Sequence, residues 1–470
     1  MRFASFVTAA AAQPPAAVFQ VSYACGLSVV RDLGRHGVPV VALDADPAAI
    51  GLRSRYAAGM ICPDPLADEE AFLTWLEELG ARLPRRAVVF PSHDEYIWPL
   101  SRHAARLEPW FVVPFSRWDA MQRVYDKRAQ MEAAARAGVD LPKTVFVSSG
   151  AELEAAAGEV PFPAVLKPVE SLAFKLRFHR HILDVESPAD LQRIYDKVDD
   201  LGTLILQERI PGGEDELWTV GSYLDAGSRP LAVFCGHKLR QYPHAGGSCL
   251  AGVSAWREDL AEAALRLLQE LHFHGVSQVE LKRDPRDGRF CLMEVNARHW
   301  KWHGLAAACG VNLSLAAYRD AIGDAFVAPR QTDGVKWIVA NKDVPLALLE
   351  IAKGQRRAGE YLRSLAALAQ AIPEDAFVLP AHNLPFYGLH GRVAELSRHH
   401  DQRCQDILDA CAGSPKLPAE IVPLLFPRKL DAHQTSFAFG EALAHVNYMM
   451  RLGWMTGEPG DDGRLRVRPA

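Results

Sequence analysis

The 470-residue sequence predicts an α/β N-terminal unit, an α+β middle and a mainly helical C-terminal region. Three observations carry that expectation. Short apolar runs alternate with helical spacing over residues 15–115, which is how a parallel sheet covered on both faces reads. From residue 217 onwards, apolar and polar residues alternate in adjoining segments, as in antiparallel sheet. Beyond residue 325, helical patterns near 355–370, 399–411 and 438–452 are joined by proline-bearing connections.

The first unit opens with an apolar strand at 17–21, and Gly26 leads into a helix ending near Gly37. A second strand, 38–43, runs into Asp44 and Asp46. Helical spacing over 67–80 precedes strands at 87–90 and 111–113. Ligands of such sheets gather beyond the carboxyl ends of the strands. That rule nominates Ser22–Gly26, and Ser92, His93, Asp94 and Glu95. Ser116 to Asp119 has capping-box spacing, with aspartate in place of the usual glutamate. A helix from Asp126 to Ala137 stops at Gly138.

Strands near 144–147 and 164–167 open the next unit. Ser187, Pro188 and Asp190 supply a cap, a first-turn proline and an acid for another helix. The strand 204–207 leads into Glu208–Gly213, and alternating segments follow near 217–224 and 231–237. Strands 276–282 and 290–296 flank Asp284-Pro285-Arg286-Asp287-Gly288, whose turn chemistry favours a hairpin. Helices follow at 302–309 and 312–321. The boundaries so drawn are 1–119, 120–202, 203–325 and 326–470.

Composition narrows the function classes. Lysine plus arginine is 52 against 57 acidic residues, a net charge of -5, so the basic stripe of a nucleic-acid protein is not expected. The eight cysteines form no CxxC pair and several lie in apolar runs, as buried thiols of a reducing compartment do. Met1 to Ala12 faintly imitates a secretory signal but is short, and no apolar stretch reaches the roughly 18 residues of a membrane span. The expectation is a cytoplasmic protein with small-molecule partners and no nucleic acid or membrane partner. Homodimer formation is left open.

The chemistry concentrates on the hairpin. If it is symmetric about Asp287, Glu280 faces Glu294, and Asn296 lies on the same face two residues further on. Two opposed carboxylates with Cβ atoms about 5 Å apart repel. A hard divalent cation removes that conflict, and magnesium commonly binds one or two carboxylates plus substrate phosphates. Lys167 ends an apolar strand, and Lys175 follows eight residues later; a lysine ammonium is a compact charge suited to phosphate. Lys238 and Arg240 add positive charge from a separate segment. His299 and His303 are spaced like a helical zinc pair, yet no HExxH motif or third ligand accompanies them. Substrate contact and plain packing are the competing readings. Trp300 and Trp302 bracket Lys301, and they read either as walls of an acceptor pocket or as core.

Several segments in order resemble the ATP-grasp family, in its carboxylate–amine ligase branch. They are Tyr125-Asp126-Lys127, Phe162-Pro163-Ala164-Val165-Leu166-Lys167-Pro168, Gln207-Glu208-Arg209-Ile210-Pro211-Gly212, Gly236-His237-Lys238-Leu239-Arg240, Gln278-Val279-Glu280-Leu281-Lys282, and Leu292-Met293-Glu294-Val295-Asn296-Ala297-Arg298. The resemblance covers roughly residues 15–325. It implies a preATP-grasp-like α/β domain, α+β ATP-grasp subdomains that clamp ATP, and a C-terminal extension to which it assigns no role.

By that resemblance Lys127, Lys167, Lys175, Glu208, Arg209, Ile210 and Glu216 contact the nucleotide. Glu208 to Ile210 would line the adenine and Glu216 would take the ribose hydroxyls. Glu280, Glu294 and Asn296 resemble ligands of Mg²⁺, for which Mn²⁺ could substitute. Arg298, with Lys238 and Arg240, resembles the catalytic cations. Ser92, His93, Asp94, Glu95, Trp300, Trp302 and His303 fall where the acceptor would bind. The loop 168–175 lacks the glycines that many members place over the phosphates, so either Lys175 compensates or the loop serves a substrate. The implied reaction is ATP-dependent amide formation between a carboxylate and an amine through an acyl phosphate. A phosphotransferase of the same fold and a non-catalytic nucleotide sensor are the alternatives.

Overall fold

The computed structural model describes residues 3–169, 182–242 apart from 199 and 201, 247–339 apart from 325 and 327, and 389–470 apart from 428, 430 and 461. Positions 177, 178, 342, 343, 346 and 347 are also described. The chain divides into two compact units, Met1–Trp337 and Ile338–Ala470. The first takes in the stretches that sequence reading divides at 119 and 202.

Unit one begins with a parallel sheet of strands β1 (Ala16–Phe19), β2 (Val40–Asp44), β3 (Ala57–Ile61), β4 (Ala87–Pro91) and β5 (Phe111–Val112), in the order β3-β2-β1-β4-β5. Every residue of β1, β2 and β4 is buried, which explains their unbroken apolar runs. Strand β3 escaped the sequence reading because its burial fades along the strand and Gly59 interrupts it. A Cβ at Gly59 would lie 2.1 Å from the Leu52 carbonyl oxygen, so close approach dictates glycine there. The N-terminal stretch forms the helix Phe3–Ala12, with Phe6 and Ala10 packed into the core.

A second, antiparallel sheet contains β6 (Thr144–Val147), β7 (Ala164–Pro168), β8 (Leu183–Val185) and β9 (Leu204–Glu208), in the order β6-β9-β7-β8. Helices Gly150–Glu159 and Pro188–Tyr195 cover one face through Leu153, Ala156, Leu191 and Ile194. Ser187 caps the latter helix by accepting from the Asp190 amide at 3.2 Å, as its sequence predicts.

The central sheet has six strands: β10 (Leu217–Leu224), β11 (Pro230–Tyr242), β12 (Ser248–Ser254), β13 (Gly275–Arg283), β14 (Phe290–Asn296) and β15 (Lys336–Ile338). Their order is β14-β13-β10-β11-β12-β15. The amphipathic helix Glu258–Glu270 buries Leu260, Ala264, Leu267 and Leu268 in the same core cluster as Val220, Val279, Leu281 and Val295 of the sheet.

One cap differs from its sequence signature. The helix after Ser116 runs from Trp118 to Tyr125, its N-cap is Arg117, and no side chain caps it. Ser116 is engaged elsewhere. Its hydroxyl donates to the His274 carbonyl at 3.2 Å and accepts from the His274 amide at 2.9 Å, which ties the parallel-sheet region to the start of β13.

In unit two, helices Leu389–Ala412, Pro418–Leu425 and Ala432–Arg451 precede a hairpin of β16 (Met455–Pro459) and β17 (Leu465–Pro469). Ile407, Cys411, Ile421, Ala442, Val446, Met449 and Val467 form its core. The hairpin was not legible among the Gly, Asp and Pro residues around 457–463, and the expected helix at 355–370 lies outside the described residues. All eight cysteines are free and buried. Among the described residues no helix is long and apolar enough to cross a membrane.

Candidate functional site

The antiparallel pairing of β13 with β14 sets Glu280 opposite Glu294 and Gln278 opposite Asn296. The register slips one residue later, where Leu281 meets Leu292, so the symmetric hairpin holds only on the side that carries the acids. The two carboxylates do not confront each other uncompensated. Lys238 on β11 places its ammonium 2.9 and 3.0 Å from the two Glu280 oxygens, and Gln278 donates to Oε1 at 2.8 Å. Lys127 reaches Glu294 Oε1 at 3.3 Å, and the Asn296 amide nitrogen lies 3.4 Å from Oε2. Desolvation by the surrounding protein would raise the pKa of Glu294 even though its side chain is half-exposed, but Lys127, Arg298 and Lys167 outweigh it and hold the carboxylate below its ordinary range.

Lys167, on β7, bonds Gln207 Oε1 at 2.9 Å, while the Gln207 amide donates to Thr144 Oγ1 at 2.8 Å. Burial and then the charge of Lys127 lower the Lys167 pKa to about 8, with Glu294 opposing. The fold thus gathers Lys127, Lys167 and Lys238 around the acid pair. Lys175 lies outside the described residues. Arg240 is buried on β11 close behind Lys238. Gln207 and Gln278 were missed in the sequence, although Gln278 shares the Glu280 face at strand period two.

Arg298 follows β14 and spans to the parallel-sheet region. Its Nε donates to Asp94 Oδ1 at 3.0 Å, and that oxygen also accepts from the Tyr125 hydroxyl at 2.6 Å. Burial opposes the arginine's charge, but Asp94, Tyr125 and Glu294 more than restore it. Burial and the Asp94 charge push the Tyr125 phenol well upward, which keeps it an O–H donor. Asp94 opens the helix Asp94–Arg102 beyond the carboxyl end of β4, where strand-end logic places a ligand. Beside it, Ser92 donates to the Gln20 carbonyl at 3.0 Å and bonds the His93 ring at 2.9 Å. Asp94 and Arg298 are therefore one constellation contributed by two sheets.

The segment Glu208–Gly213 joins β9 to β10. Glu208 is bound by Arg286 at 2.5 Å and by the Lys143 amide at 3.2 Å, and Arg209 by Asp184 and Glu186, both at 3.1 Å. Ile210 is buried, and Glu216 pairs with Arg283 at 3.6 Å. The side chains of Glu208 and Arg209 are thus committed to the protein, and main-chain groups are what this segment can offer a ligand.

Trp300, Trp302 and His303 do not fit the acceptor pocket expected of them. Each is 2% exposed. A Cβ on Gly221 would fall 2.0 Å from the Trp300 ring, and one on Gly236 or Gly252 would crowd Trp302 at 2.9 and 2.8 Å. Glycines on the central strands make room for both indoles, so these residues pack the core. His299 bonds Ser314 at 3.0 Å, and His303 Nδ1 donates to the Trp300 carbonyl at 2.7 Å.

That packing leaves Asp32 Oδ2 and His303 Nε2 buried without hydrogen-bond partners, 3.7 Å apart. Burial pushes the Asp32 carboxyl up to about 7 and the His303 imidazole down to about 4. A folded-state pKa raised above the unfolded value makes the contribution to stability largest at low pH and erodes it as pH rises through 7. Asp32→Asn should therefore match the wild type in thermal unfolding near pH 4 and exceed it at pH 8. The expected gain at pH 8 is on the order of 4 kcal/mol as an upper bound. Equal melting temperatures at pH 8 would contradict it.

Comparison with known proteins follows the same lines. Residues 253–327, which carry Glu280, Glu294, Asn296 and Arg298, match the carbamoyl-phosphate synthase L chain, ATP binding domain. The N5-carboxyaminoimidazole ribonucleotide synthetase purK, in its ADP complex, superposes with a TM-score of 0.57 at 16% identity, over 80% of this chain and 90% of that one. The chain has the ATP-grasp fold. The biotin carboxylase domain of Hydrogenobacter thermophilus 2-oxoglutarate carboxylase, solved with MgADP and bicarbonate, shares this ATP-grasp architecture. Its TM-score is 0.53 at 18% identity, over 69% of this chain and 74% of that one. In sequence, D-aspartate ligase of Enterococcus faecium is 23% identical over 267 residues, 54% of this chain and 63% of the ligase, so the match spans less than two thirds of that relative. Residues 404–470, about half of unit two, match the metallo-beta-lactamase-like, C-terminal domain. Among the described residues no group of three or more His, Cys, Asp or Glu side chains is placed to hold a metal ion.

Proposed function

We propose that this protein is a magnesium- and ATP-dependent carboxylate–amine ligase that works through an acyl phosphate. The observation that carries the reading is the Glu280–Glu294 pair, opposed in register and ringed by Lys127, Lys167 and Lys238. Its oxygen donors, with Asn296, suit a hard cation, and no thiolate is available to make a soft site. Glu280, Glu294 and Asn296 would hold Mg²⁺. When bound, it would neutralise phosphate oxygens as their charge redistributes.

The chain's own groups have separable tasks. Lys167 and Lys127 offer ammonium charge to phosphate oxygens, and Gln207 holds Lys167 in place. Asp94 and Tyr125 orient Arg298, whose guanidinium is fixed before any substrate arrives. Preorganised charge of this kind acts where negative charge develops. A substrate carboxylate oxygen attacks the γ-phosphorus, the bond to the β-phosphate oxygen breaks, and ADP leaves. An amine then attacks the acyl carbon, loses a proton, and expels inorganic phosphate to leave an amide. Ser92, His93, Asp94 and Glu95 lie at the strand end from which the acceptor would be recognised.

The test is a screen of carboxylate–amine pairs for ADP release, with mass measurement of the product. D-aspartate belongs in the panel on both sides, since it carries an amine and two carboxylates. A ligase gives amide, ADP and phosphate only with both substrates present. A phosphorylated single substrate would favour the phosphotransferase, and ATP binding without turnover across a broad panel would favour a sensor.

The low pKa of Lys167 adds a prediction. Its ammonium is present below about pH 8 in the free protein and is lost as pH rises through that value. The KM for ATP should therefore climb about tenfold per pH unit beyond the Lys167 midpoint if that charge is required for binding. Lys167→Arg, which stays charged, should flatten the climb. An ATP KM constant from pH 7 to 9.5 would contradict the role.

A further inference from the structure

We infer that His93 is the general base that takes the proton from the attacking amine. The inference rests on the ligase reading given above and deepens it, by naming the group that receives the proton lost in amide formation.

The parallel sheet has the order β3-β2-β1-β4-β5, so from β1 the chain builds one way through β2 and β3 and the other way through β4 and β5. The crevice beyond the carboxyl ends of β1 and β4 is therefore the topological switch point, where ligands of open α/β sheets bind. Gln20 follows β1 and Ser92 follows β4. The Ser92 hydroxyl joins them across that crevice by donating to the Gln20 carbonyl at 3.0 Å. Gln20 has φ +55, in the left-handed region that few non-glycine residues enter, and its Oε1 is buried without a hydrogen-bond partner among the described residues. Strained backbone and orphaned polar atoms gather at ligand sites. The helices that follow the two strands have Tyr23 and His93 as N-caps, and neither side chain caps its helix. The two rings meet instead, with centroids 4.6 Å apart.

The hydrogen bonds fix the tautomer of His93. A serine hydroxyl has one proton, and that of Ser92 goes to the Gln20 carbonyl, which can only accept. The 2.9 Å contact between Ser92 Oγ and His93 Nδ1 therefore has Nδ1–H as its donor. The neutral ring then carries its lone pair on Nε2. Ser92 is fully buried, so water does not compete for its hydroxyl. The next residue, Asp94, spends Oδ1 on Arg298 and Tyr125. His93 spends its donor nitrogen on Ser92 and keeps a basic nitrogen, one residue from the carboxylate that orients Arg298.

In the second half of the reaction the amine nitrogen bonds the acyl carbon. The bond from that carbon to the phosphate oxygen breaks, and its electron pair leaves with phosphate. The proton that the nitrogen sheds passes to His93 Nε2, and the imidazolium returns it to solvent once the amide has formed. A positioned base of this kind contributes about 10²–10⁴-fold. The first half, phosphoryl transfer to a carboxylate, has no proton to remove. A loss confined to the second half is therefore the signature of His93.

The test uses the full-length chain with ATP, Mg²⁺ and the acid–amine pair found by ADP release. It compares that amine with hydroxylamine, which is largely unprotonated at neutral pH and traps an acyl phosphate as a hydroxamate without help from a base. His93→Gln keeps a side-chain N–H for Ser92 and loses the basic lone pair. It should lower amide formation by about 10²-fold or more and hydroxamate formation by less than about threefold. Circular dichroism checks folding, and His93→Asn takes its place if His93→Gln does not fold. Amide formation within about threefold of wild type in the folded variant, or an equal loss with both nucleophiles, would overturn the base while leaving the ligase standing. Wild type that forms neither amide nor hydroxamate with any acid of the panel would instead overturn the ligase reading, and the role of His93 with it.

Discussion

Glu294→Gln should lower Mg²⁺-dependent turnover by at least about 10²-fold at a fixed, modest magnesium concentration, because it deletes one ligand charge and preserves the shape. Raising the magnesium concentration should recover part of the loss if metal affinity is the main casualty. Glu280→Gln should do the same with a second effect that Glu294→Gln lacks. Lys238 is 2% exposed and bonds both Glu280 oxygens, so that substitution leaves a buried ammonium without its counter-charge. Breaking such a pair costs roughly 3 kcal/mol or more. Glu280→Gln should therefore also melt earlier, whereas Glu294, 48% exposed, can be changed with little effect on folding. A magnesium titration of turnover, with circular dichroism on both variants, checks this. An unchanged magnesium dependence in the folded variants would rule the pair out as the metal site.

Arg298→Ala should lose about 10²–10³-fold in kcat with a much smaller change in ATP affinity, in the range seen when a preorganised charge-stabilising donor is removed. The guanidinium is already charged and already held by Asp94 at 3.0 Å, so its contribution needs no rearrangement when substrate binds. Asp94→Asn should give a milder version, because the asparagine carbonyl can still accept from Nε. Steady-state kinetics on any confirmed substrate pair separates the two effects. Near-normal kcat in Arg298→Ala would remove the residue from the chemistry.

The parts of this account that were legible in the sequence are those written with local periodicity. Buried parallel strands show as continuous Val and Ala runs, so β1, β2 and β4 could be found without a structure. Glu280 and Glu294 could be paired by counting symmetrically about Asp287, a register the strands adopt only beyond the bulge that separates the acids from the turn. The bulge at Leu281 was invisible, since nothing in the local pattern marks which residue is skipped. Long-range partners were equally hidden. Asp94 and Arg298 are 204 residues apart, and Lys127 and Glu294 are 167 apart. Their meeting is a property of two sheets docking and not of either segment. Trp300 and Trp302 misled for the opposite reason. Aromatic residues beside polar ones look like a pocket wall, but the glycines that receive them sit on β10, β11 and β12, far away in the chain.

The most direct test of the acyl-phosphate account follows one oxygen atom. With the acid–amine pair identified by ADP release, the carboxylate is labelled with ¹⁸O and the phosphate formed in a single turnover is weighed. Transfer through an acyl phosphate breaks the bond between the acyl carbon and a former carboxylate oxygen, so each phosphate released should carry one ¹⁸O. Phosphate without the label, or AMP and pyrophosphate in place of ADP and phosphate, would contradict the mechanism proposed for this site.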